Sequence, residues 1–377
     1  MLNNDNFKTL LTFNRENPNK YPDFNKKYYN THKSVGLCNQ LFSIINPILL
    51  SNKNFFVIDS FYLGHSTRKC CPITKIIDLE KTSYKMSTIL NRPIYLLDRT
   101  KIKLEFISVF YGTNNKKLDI LDNFKDYFYQ NNKISKNINL NQLFTDPVQN
   151  QTKKLYITYK VNNFIIQEEI LEINTKLSQD ISFNLDIINN NWNKASRDFG
   201  WYNRSNQQIF NLLLNSITFN NKLYDLVNSL KYNNINTVHL RIEPDSIEFW
   251  SKQNKMSESC FYNLLINKYH EIISKNIPKN ESLLILSGIS KNNDFIKKIE
   301  QNYQVLLFDK NKILKDFDYQ GNELNAIIDL ILGFNTKKNF IGCHNLKENR
   351  GSTFTYTILN KIKHINKFMI DLDDINN

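Results

Sequence analysis

Polar side chains that could bind an anion are crowded together where an apolar run of the chain ends. The stretch NTVHLRIEPDSIEFW, which begins at residue 236, contains His239, Arg241, Glu243 and Asp245. Its first residues alternate between apolar and polar, which predicts a buried strand that ends at this cluster. An arginine there can contact a phosphate at two points and neutralise a departing diphosphate. The alternative is a salt bridge from Arg241 to Glu243 or Asp245.

The neighbours of Arg241 allow several roles. His239 precedes it by two residues and would lie on the same face of the strand. It could be an ordinary buried histidine, or it could orient the arginine or a phosphate. Glu243 continues that face and could hold a ribose, hold the arginine or act as a base.

A second candidate anion site lies in the stretch IGCHNLKENRGSTFTYTI, residues 341–358. Gly351 allows a tight turn, and Ser352 and Thr353 stand where a helix is predicted to begin. Hydroxyl groups and free backbone N–H groups at a helix N-terminus bind anions. Plain N-capping by Ser352 is the alternative, and it is compatible with phosphate binding at the same place.

A third candidate is the stretch SVGLCNQLF, residues 34–42, in which a glycine turn and an asparagine precede a helical pattern. Its backbone amides could approach a diphosphate. It matches neither a Walker loop nor the G-x-G-x-x-G pattern, so it indicates little by itself.

No metal site is predicted. Asp371 and Asp373 have the spacing that many metal-dependent glycosyltransferases use for manganese, but they fall in the last seven residues. We expect them to form a solvated acidic tail outside the sheet. The chain has no His/Cys cluster with zinc-ligand spacing and no G-x-S-x-G elbow.

The elements that must position these residues are clearest after residue 236. Apolar strands are predicted at 237–242, 282–288, 304–310 and 338–343, and helices at 257–275, 292–303, 322–334 and 352–363. This alternation predicts a parallel, doubly wound α/β sheet, with Ser257 or Ser259 capping the first helix. Ligands of such sheets bind beyond the carboxyl ends of the strands, where 239–245, 287–288 and 342–343 would lie.

The N-terminal part is predicted as a second α/β domain. Gly36 opens a turn, a helix covers residues 41–50 with a kink or early break at Pro47, and a strand follows at 54–61. Between residues 62 and 230 we predict strands at 92–98, 104–110 and 153–166 and helices at 206–217 and 221–232. The predicted domains are 1–230 and 231–377.

Composition narrows the class of protein. The chain has 377 residues, 41% of them hydrophobic, and a net charge of +13. The basic residues are spread out, so a nucleic-acid partner is not predicted, although a basic nucleic-acid binder stays an alternative. Five cysteines do not form an even disulfide framework. No signal peptide or membrane span is visible, so we expect a cytoplasmic protein.

Taken in order, VGLCNQLF, HLRIE and AIIDLILG…NFIG…GSTFTYTI resemble the three signature regions of the GDP-fucose-dependent fucosyltransferase superfamily. This superfamily includes the protein O-fucosyltransferases and the α-1,2- and α-1,6-fucosyltransferases. The resemblance covers roughly residues 34–61 and 236–363. It implies a GT-B architecture, in which two Rossmann-like domains face each other across a cleft. In that architecture the domain 1–230 would lie on the acceptor side, and the domain 231–377 would bind the nucleotide sugar. It also implies inverting transfer of fucose from GDP-fucose without a metal or other cofactor.

The resemblance also implies a role for each matched residue. Arg241 would assist departure of the β-phosphate, His239 would place the diphosphate or ribose, and Asp329 would bind the guanine. The phosphates would be held by Ser352, Thr353 and Phe354 and covered by Gly36, Leu37, Cys38 and Asn39. Cys38 replaces the glycine that the family has before the asparagine, and Ile242 replaces the second arginine of some relatives.

The base, the acceptor, the donor sugar and catalysis itself stay open. No glutamate lies in the first loop, so the base is unassigned, with Glu243 as a candidate and a dissociative reaction as the alternative. The acceptor would be a glycan or protein hydroxyl. Other possibilities are a donor with another deoxysugar, such as rhamnose, and a non-catalytic sugar-binding protein.

Overall fold

A computed structural model describes residues 36–50, 55–58, 61–64, 70–98, 104–131, 134–135, 137–162, 164–174, 176–178, 187–188, 207–230, 232, 235–345 and 350–375. The helices are α1 Leu37–Leu50, α2 Leu79–Leu90, α3 Leu121–Asn131, α4 Leu140–Phe144, α5 Gln207–Ser216, α6 Asn221–Asn228, α7 Pro244–Gln253, α8 Glu258–Asn276, α9 Asp294–Glu300, α10 Lys310–Ile313, α11 Asn322–Phe334 and α12 Thr353–Lys361. The strands are β1 Phe55–Ile58, β2 Phe61–Tyr62, β3 Cys70–Cys71, β4 Tyr95–Asp98, β5 Leu104–Gly112, β6 Lys117–Asp119, β7 Lys154–Val161, β8 Phe164–Ile173, β9 Lys176–Leu177, β10 Ile187–Ile188, β11 Asn236–His239, β12 Ser282–Leu286, β13 Gln304–Leu306, β14 Asn339–Asn345, β15 Arg350–Gly351 and β16 Asn366–Ile370.

The chain divides into two compact units. Of the described residues, the first unit contains 50, 55–58 and those between 79 and 188, and the second contains 36–49, 61–64, 70–78 and 207–375. The second compact unit thus includes early stretches of the chain, among them most of α1. The functional division at residue 230, into an acceptor side and a nucleotide side, stays a prediction.

The second unit is built on the predicted parallel sheet. Its strands run in the order β13–β12–β11–β14–β16, and every neighbouring pair in that series is parallel. The short β15 adds an antiparallel edge to β14. The strand β11 is central and buried along its whole length, and the first partly exposed side chain after it is Arg241.

Helices cover both faces of this sheet. On one face, side chains of α8 and α9 such as Phe261, Tyr269 and Ile296 pack against Val238 and Ile285 of the strands. The other face is covered by α11 and α12. On that face α12 lies close to β14, because a Cβ at Gly342 would lie only 2.7 Å from Thr355 Cγ2. The prediction of a doubly wound α/β fold is confirmed for this unit.

The first unit contains two different sheets. The parallel sheet β10–β1–β4 matches the predicted α/β pattern, whereas the sheet β6–β5–β7–β8–β9 is antiparallel throughout. The alternation of buried and half-buried residues along β7 places Leu155, Ile157 and Tyr159 in an aromatic core with Phe106 and Phe124. The predicted strand at 153–166 is in fact the two strands β7 and β8.

Two local predictions need correction. Pro47 does not end α1, which continues to Leu50. Asp371 does not lie in a tail outside the sheet, because it directly follows β16, a parallel strand paired with β14.

None of the helices in the described ranges combines the length and the apolar character that a membrane crossing needs.

Candidate functional site

The carboxyl end of β11 is completed by two side-chain hydroxyl groups. On the β12 side, the Leu240 N–H donates to Leu286 O, and Ser287 Oγ donates to Leu240 O at 2.9 Å. On the β14 side, Tyr269 Oη donates to His239 O at 2.7 Å and accepts the Arg241 N–H at 3.0 Å. Arg241 therefore projects from backbone that is fixed on both sides.

The Arg241 side chain is held by two carboxylates. Nη1 donates to Glu243 Oε2 at 3.0 Å, and Nη2 donates to Asp245 Oδ2 at 2.9 Å. The predicted salt bridge is therefore present to both partners. Although burial opposes the charge, the two carboxylates raise the pKa of the guanidinium above its ordinary value. Since 31% of the side chain is exposed, its remaining N–H groups can meet a ligand.

Glu243 fastens the ends of two strands together. Its Oε1 accepts from the Gly288 N–H at 3.0 Å and shares the single Ser287 hydroxyl proton, at 2.9 Å, with Leu240 O. Its Oε2 accepts from Arg241. Burial raises the pKa of this carboxyl, but Arg241 and the Gly288 N–H outweigh it and hold the pKa below its ordinary value. These contacts favour a positioning role for Glu243 and disfavour the role of a base.

Asp329 and Lys310 extend the cluster toward β13. Lys310 Nζ donates to Ser287 O at 2.8 Å and lies 3.2 Å from Asp329 Oδ2. Both side chains are over nine-tenths buried. Burial raises the pKa of Asp329 to about 7, although Lys310 acts in the opposite direction. Asp329 Oδ1 is buried with no hydrogen-bond partner among the described residues, so it keeps an unused acceptor position.

His239 is a neutral, buried side chain on the opposite face of the sheet from Tyr269. Its Nδ1 lies 2.7 Å from Thr355 Oγ1, and its ring packs on the Phe354 ring with centroids 4.7 Å apart. Burial lowers the pKa of His239 to about 4. The structure thus brings His239 to the start of α12, where Ser352 and Thr353 lie.

The beginning of α12 has the predicted geometry. Gly351 has a φ of +119°, which favours glycine, and Ser352 is the N-cap, with Oγ accepting from the Thr355 N–H at 3.4 Å. Thr353 is the first helical residue, and Phe354 follows it. N-capping is therefore confirmed, and phosphate binding at the same place stays a prediction.

The first turn of α1 is occupied by an internal anion. The Leu37 N–H donates to the buried Glu323 carboxylate, which lies in the first turn of α11. Cys38 is buried, which raises the pKa of its thiol to about 12. Asn39 Oδ1 is buried without a hydrogen-bond partner in the described part of the chain, and Gly36 O accepts from the Gln40 N–H. A ligand phosphate near this turn would meet Glu323.

Most of the sequence-predicted residues thus belong to one compact unit. Two polar groups form there, one around Arg241, Glu243 and Asp329 and one around His239 and the start of α12. The groups are joined through the backbone of β11. We call the residues Arg241, Glu243, Asp245, Ser287, Lys310 and Asp329 the strand-end cluster.

Asp371 and Asp373 lie apart from this cluster, at the end of β16. Asp371 Oδ2 accepts from Asn345 Nδ2, and Asp371 Oδ1 accepts from the Asp373 N–H at 3.0 Å. Arg350 Nε lies 3.7 Å from Asp373 Oδ2. Within the ranges that the structure describes, no group of three or more His, Cys, Asp or Glu side chains could hold a metal ion.

Sequence reasoning missed Tyr269, Lys310 and Glu323. Tyr269 and Glu323 lie within helical patterns, where they resemble an ordinary core residue and an ordinary helix-starting acid. Lys310 is the last residue of the predicted strand at 304–310 and in fact begins α10, four residues after β13 ends, so its position near a strand end was a usable signal.

The arrangement can bind an anion beside Arg241 and a hydrogen-bond donor at Asp329 Oδ1. No family model, no curated protein and no solved structure matches this chain.

Proposed function

We propose that the protein is an inverting glycosyltransferase that transfers fucose from GDP-fucose to a glycan or protein hydroxyl. In this proposal the two units correspond to the two domains of a GT-B architecture, and the second unit binds the donor. No metal ion or other cofactor is required. The proposal rests on the resemblance in three separated stretches and on the structural features of the second unit.

The observation that supports it best is the strand-end cluster. A partly exposed arginine and a buried carboxylate with an unused oxygen lie at the carboxyl edge of one parallel sheet. Ligands of such sheets bind at that edge. A guanine nucleotide carries a diphosphate for Arg241 and ring N–H donors for Asp329, so its chemistry suits both groups.

Arg241 would assist departure of the leaving group. The hydrogen bond from its Nη2 to Asp245 lies at the surface, because 64% of the Asp245 side chain is exposed. A β-phosphate can replace that carboxylate without moving Glu243, which keeps its own three donors. The guanidinium then stabilises the charge that develops on the diphosphate as the sugar bond breaks.

Removal of the acceptor proton would need little help from Glu243. Its pKa is held low by Arg241 and the Gly288 N–H, so it is a weak proton acceptor at neutral pH. This environment favours a dissociative reaction, in which the sugar cation forms before the acceptor hydroxyl loses its proton.

Thermal shift and turnover measurements test the proposal. GDP should stabilise the protein, by about 2.7 kcal/mol at 100 times its dissociation constant, whereas UDP and dTDP should not. GDP-fucose should be hydrolysed or transferred to an acceptor array, with the same rate in EDTA.

Each alternative predicts a different result. Stabilisation by UDP or dTDP alone would replace fucose with another nucleotide deoxysugar. Nucleotide binding without any turnover would favour a sugar-binding protein. Strongly salt-dependent binding of DNA or RNA, without nucleotide-sugar binding, would favour the nucleic-acid binder.

A further inference from the structure

Tyr269 is a buried tyrosine whose hydroxyl group replaces a strand. β14 pairs with β11 through Val238 and Ile341. Beyond that point the backbone of β14 turns to other partners, because the Cys343 N–H donates to Thr355 Oγ1 and Cys343 O accepts from the Ser352 N–H. His239 O and the Arg241 N–H are therefore left without a strand partner on this side.

The Tyr269 hydroxyl fills both positions. It comes from the middle of α8, its side chain is fully buried, and it reaches His239 O at 2.7 Å, the Arg241 N–H at 3.0 Å and Cys343 Sγ at 2.6 Å. One atom thus holds the backbone on each side of Leu240. A phenylalanine would fill the same space but would leave a buried carbonyl and a buried N–H unpaired.

We propose that Tyr269 is a positioning residue for Arg241, and that its hydroxyl sets the direction from which the guanidinium meets the leaving diphosphate. This inference rests on the proposed function. It adds Tyr269, which no sequence pattern singled out, to the residues that position Arg241. The positioning role follows from geometry, since the Arg241 side chain starts from the backbone unit to which the Tyr269 hydroxyl is bonded.

The test compares two tyrosine-to-phenylalanine variants. Tyr303 also packs in the core of this unit, and its hydroxyl donates to Ile277 O at 3.3 Å, away from the strand-end cluster. Tyr303→Phe is therefore a matched control for the loss of a buried hydroxyl. Both variants should lower the melting temperature, but only Tyr269→Phe should lower kcat.

The expected loss of kcat in Tyr269→Phe is about tenfold, since a misplacement on the order of 1 Å can cost a hundredfold. KM for the donor should change less. In an Arg241→Lys background the same substitution should cost less than about twofold in kcat, because coupled residues are not additive. A purely structural Tyr269 would show equal, additive losses in both backgrounds.

Calorimetry with inorganic pyrophosphate measures binding of the diphosphate alone, without the sugar or the guanine. Tyr269→Phe should bind pyrophosphate severalfold more weakly than the wild type, and Tyr303→Phe should bind it equally well. Hydrogen exchange of the wild-type peptide 240–243 needs no variant. The Arg241 amide should exchange as slowly as β11 itself, and rapid exchange would overturn the positioning role.

The role of Tyr269 and the proposed function can be refuted separately. A wild-type protein that turns over GDP-fucose, with a folded Tyr269→Phe variant of unchanged kcat, would overturn the role of Tyr269 alone. A wild-type protein that binds neither GDP nor pyrophosphate would refute the proposed function and this inference together.

Discussion

Each unit of the molecule buries an ionic cluster, and the two clusters differ in how fully their hydrogen bonds are used. In the first unit, Lys153 Nζ lies 3.2 Å from Asp146 Oδ1, 3.5 Å from Glu172 Oε2 and 3.0 Å from Gln151 O. Glu172 Oε1 in turn pairs with the Tyr111 hydroxyl at 2.7 Å. Lys153 and Glu172 are each only 3% exposed, so this cluster is closed.

The strand-end cluster of the second unit is open by comparison. Arg241 uses only some of its donors and is 31% exposed, and Asp329 Oδ1 has no partner in the described residues. Both clusters are buried polar networks, but only one has spare hydrogen-bonding capacity at the edge of a sheet. Burial of charge is therefore common to both clusters, and unused hydrogen-bonding capacity at a strand end is the feature that distinguishes the second one.

The largest effect is expected in the closed cluster. Lys153→Met leaves Glu172 buried without its cation, which should lower the free energy of unfolding by about 3–5 kcal/mol, as measured by urea denaturation. GDP affinity of the folded variant should not change. Lys154→Met is the matched control. It removes the same charge from the adjacent residue, whose ion pair with Glu169 is exposed, so it should change the free energy of unfolding little. Equal stability of the two variants would contradict the difference between the clusters.

In the open cluster the expected loss is in rate. Arg241→Ala should lower kcat at least about a hundredfold, or about 3 kcal/mol, because its charge acts mainly in the transition state. GDP binding should weaken less, and Arg241→Lys should not rescue fully, since an ammonium lacks the planar two-point contact. Lys312→Ala, on an exposed helix face, controls for lost charge. Near-normal kcat in folded Arg241→Ala would contradict the mechanism.

His239 should contribute a pH dependence of stability. Burial lowers the pKa of His239 from 6.5 to about 4, so the unfolded chain binds the proton first as the pH falls. Stability from this residue is present above pH 6.5 and is lost toward pH 4, with about 2 kcal/mol lost between pH 7 and pH 5. His239→Gln should lack this part of the acid loss in urea titrations. An identical pH profile in the variant would show that His239 is not buried as a neutral ring.

The smallest effect sharpens the role of Asp329. Asp329→Asn removes the carboxylate that would accept the guanine N–H donors, so the GDP affinity of the folded variant should fall about tenfold. The variant should also lose stability, because Lys310 stays buried without its anion. Pyrophosphate affinity should stay unchanged, because Arg241 is intact. Asp309→Asn, at the N-cap of α10, removes a nearby exposed carboxylate as a control. If Asp329→Asn weakened GDP and pyrophosphate binding equally, the guanine would have to bind away from Asp329.

The sequence predicted the elements of the second unit well because their apolar patterns and caps are local. Ser257 caps α8 through its bond from the Cys260 N–H, and Gly351 has the left-handed φ of its turn. β16 was missed because NKFMI is a short strand whose first residues are exposed. The antiparallel sheet of the first unit was only partly predicted, since β6 and β9 are too short to carry an alternating pattern.

The candidate site was predictable in type but not in its contacts. The position of Arg241 at a strand end follows from the alternation around Val238 and Leu240. The partners Tyr269 and Lys310 come from elements far along the chain, and the hydrogen bonds between them depend on packing that no local pattern specifies. The carboxylate of Glu323 at α1 is likewise a long-range contact.

A crystal structure of the protein with GDP tests the central claim most directly. We expect the diphosphate to displace Asp245 from Arg241 Nη2, and Arg241 and the start of α12 to hold the phosphates. We also expect the guanine to donate to Asp329 Oδ1. GDP bound elsewhere, or a saturated complex in which Arg241 keeps both carboxylates and contacts no phosphate, would contradict that claim.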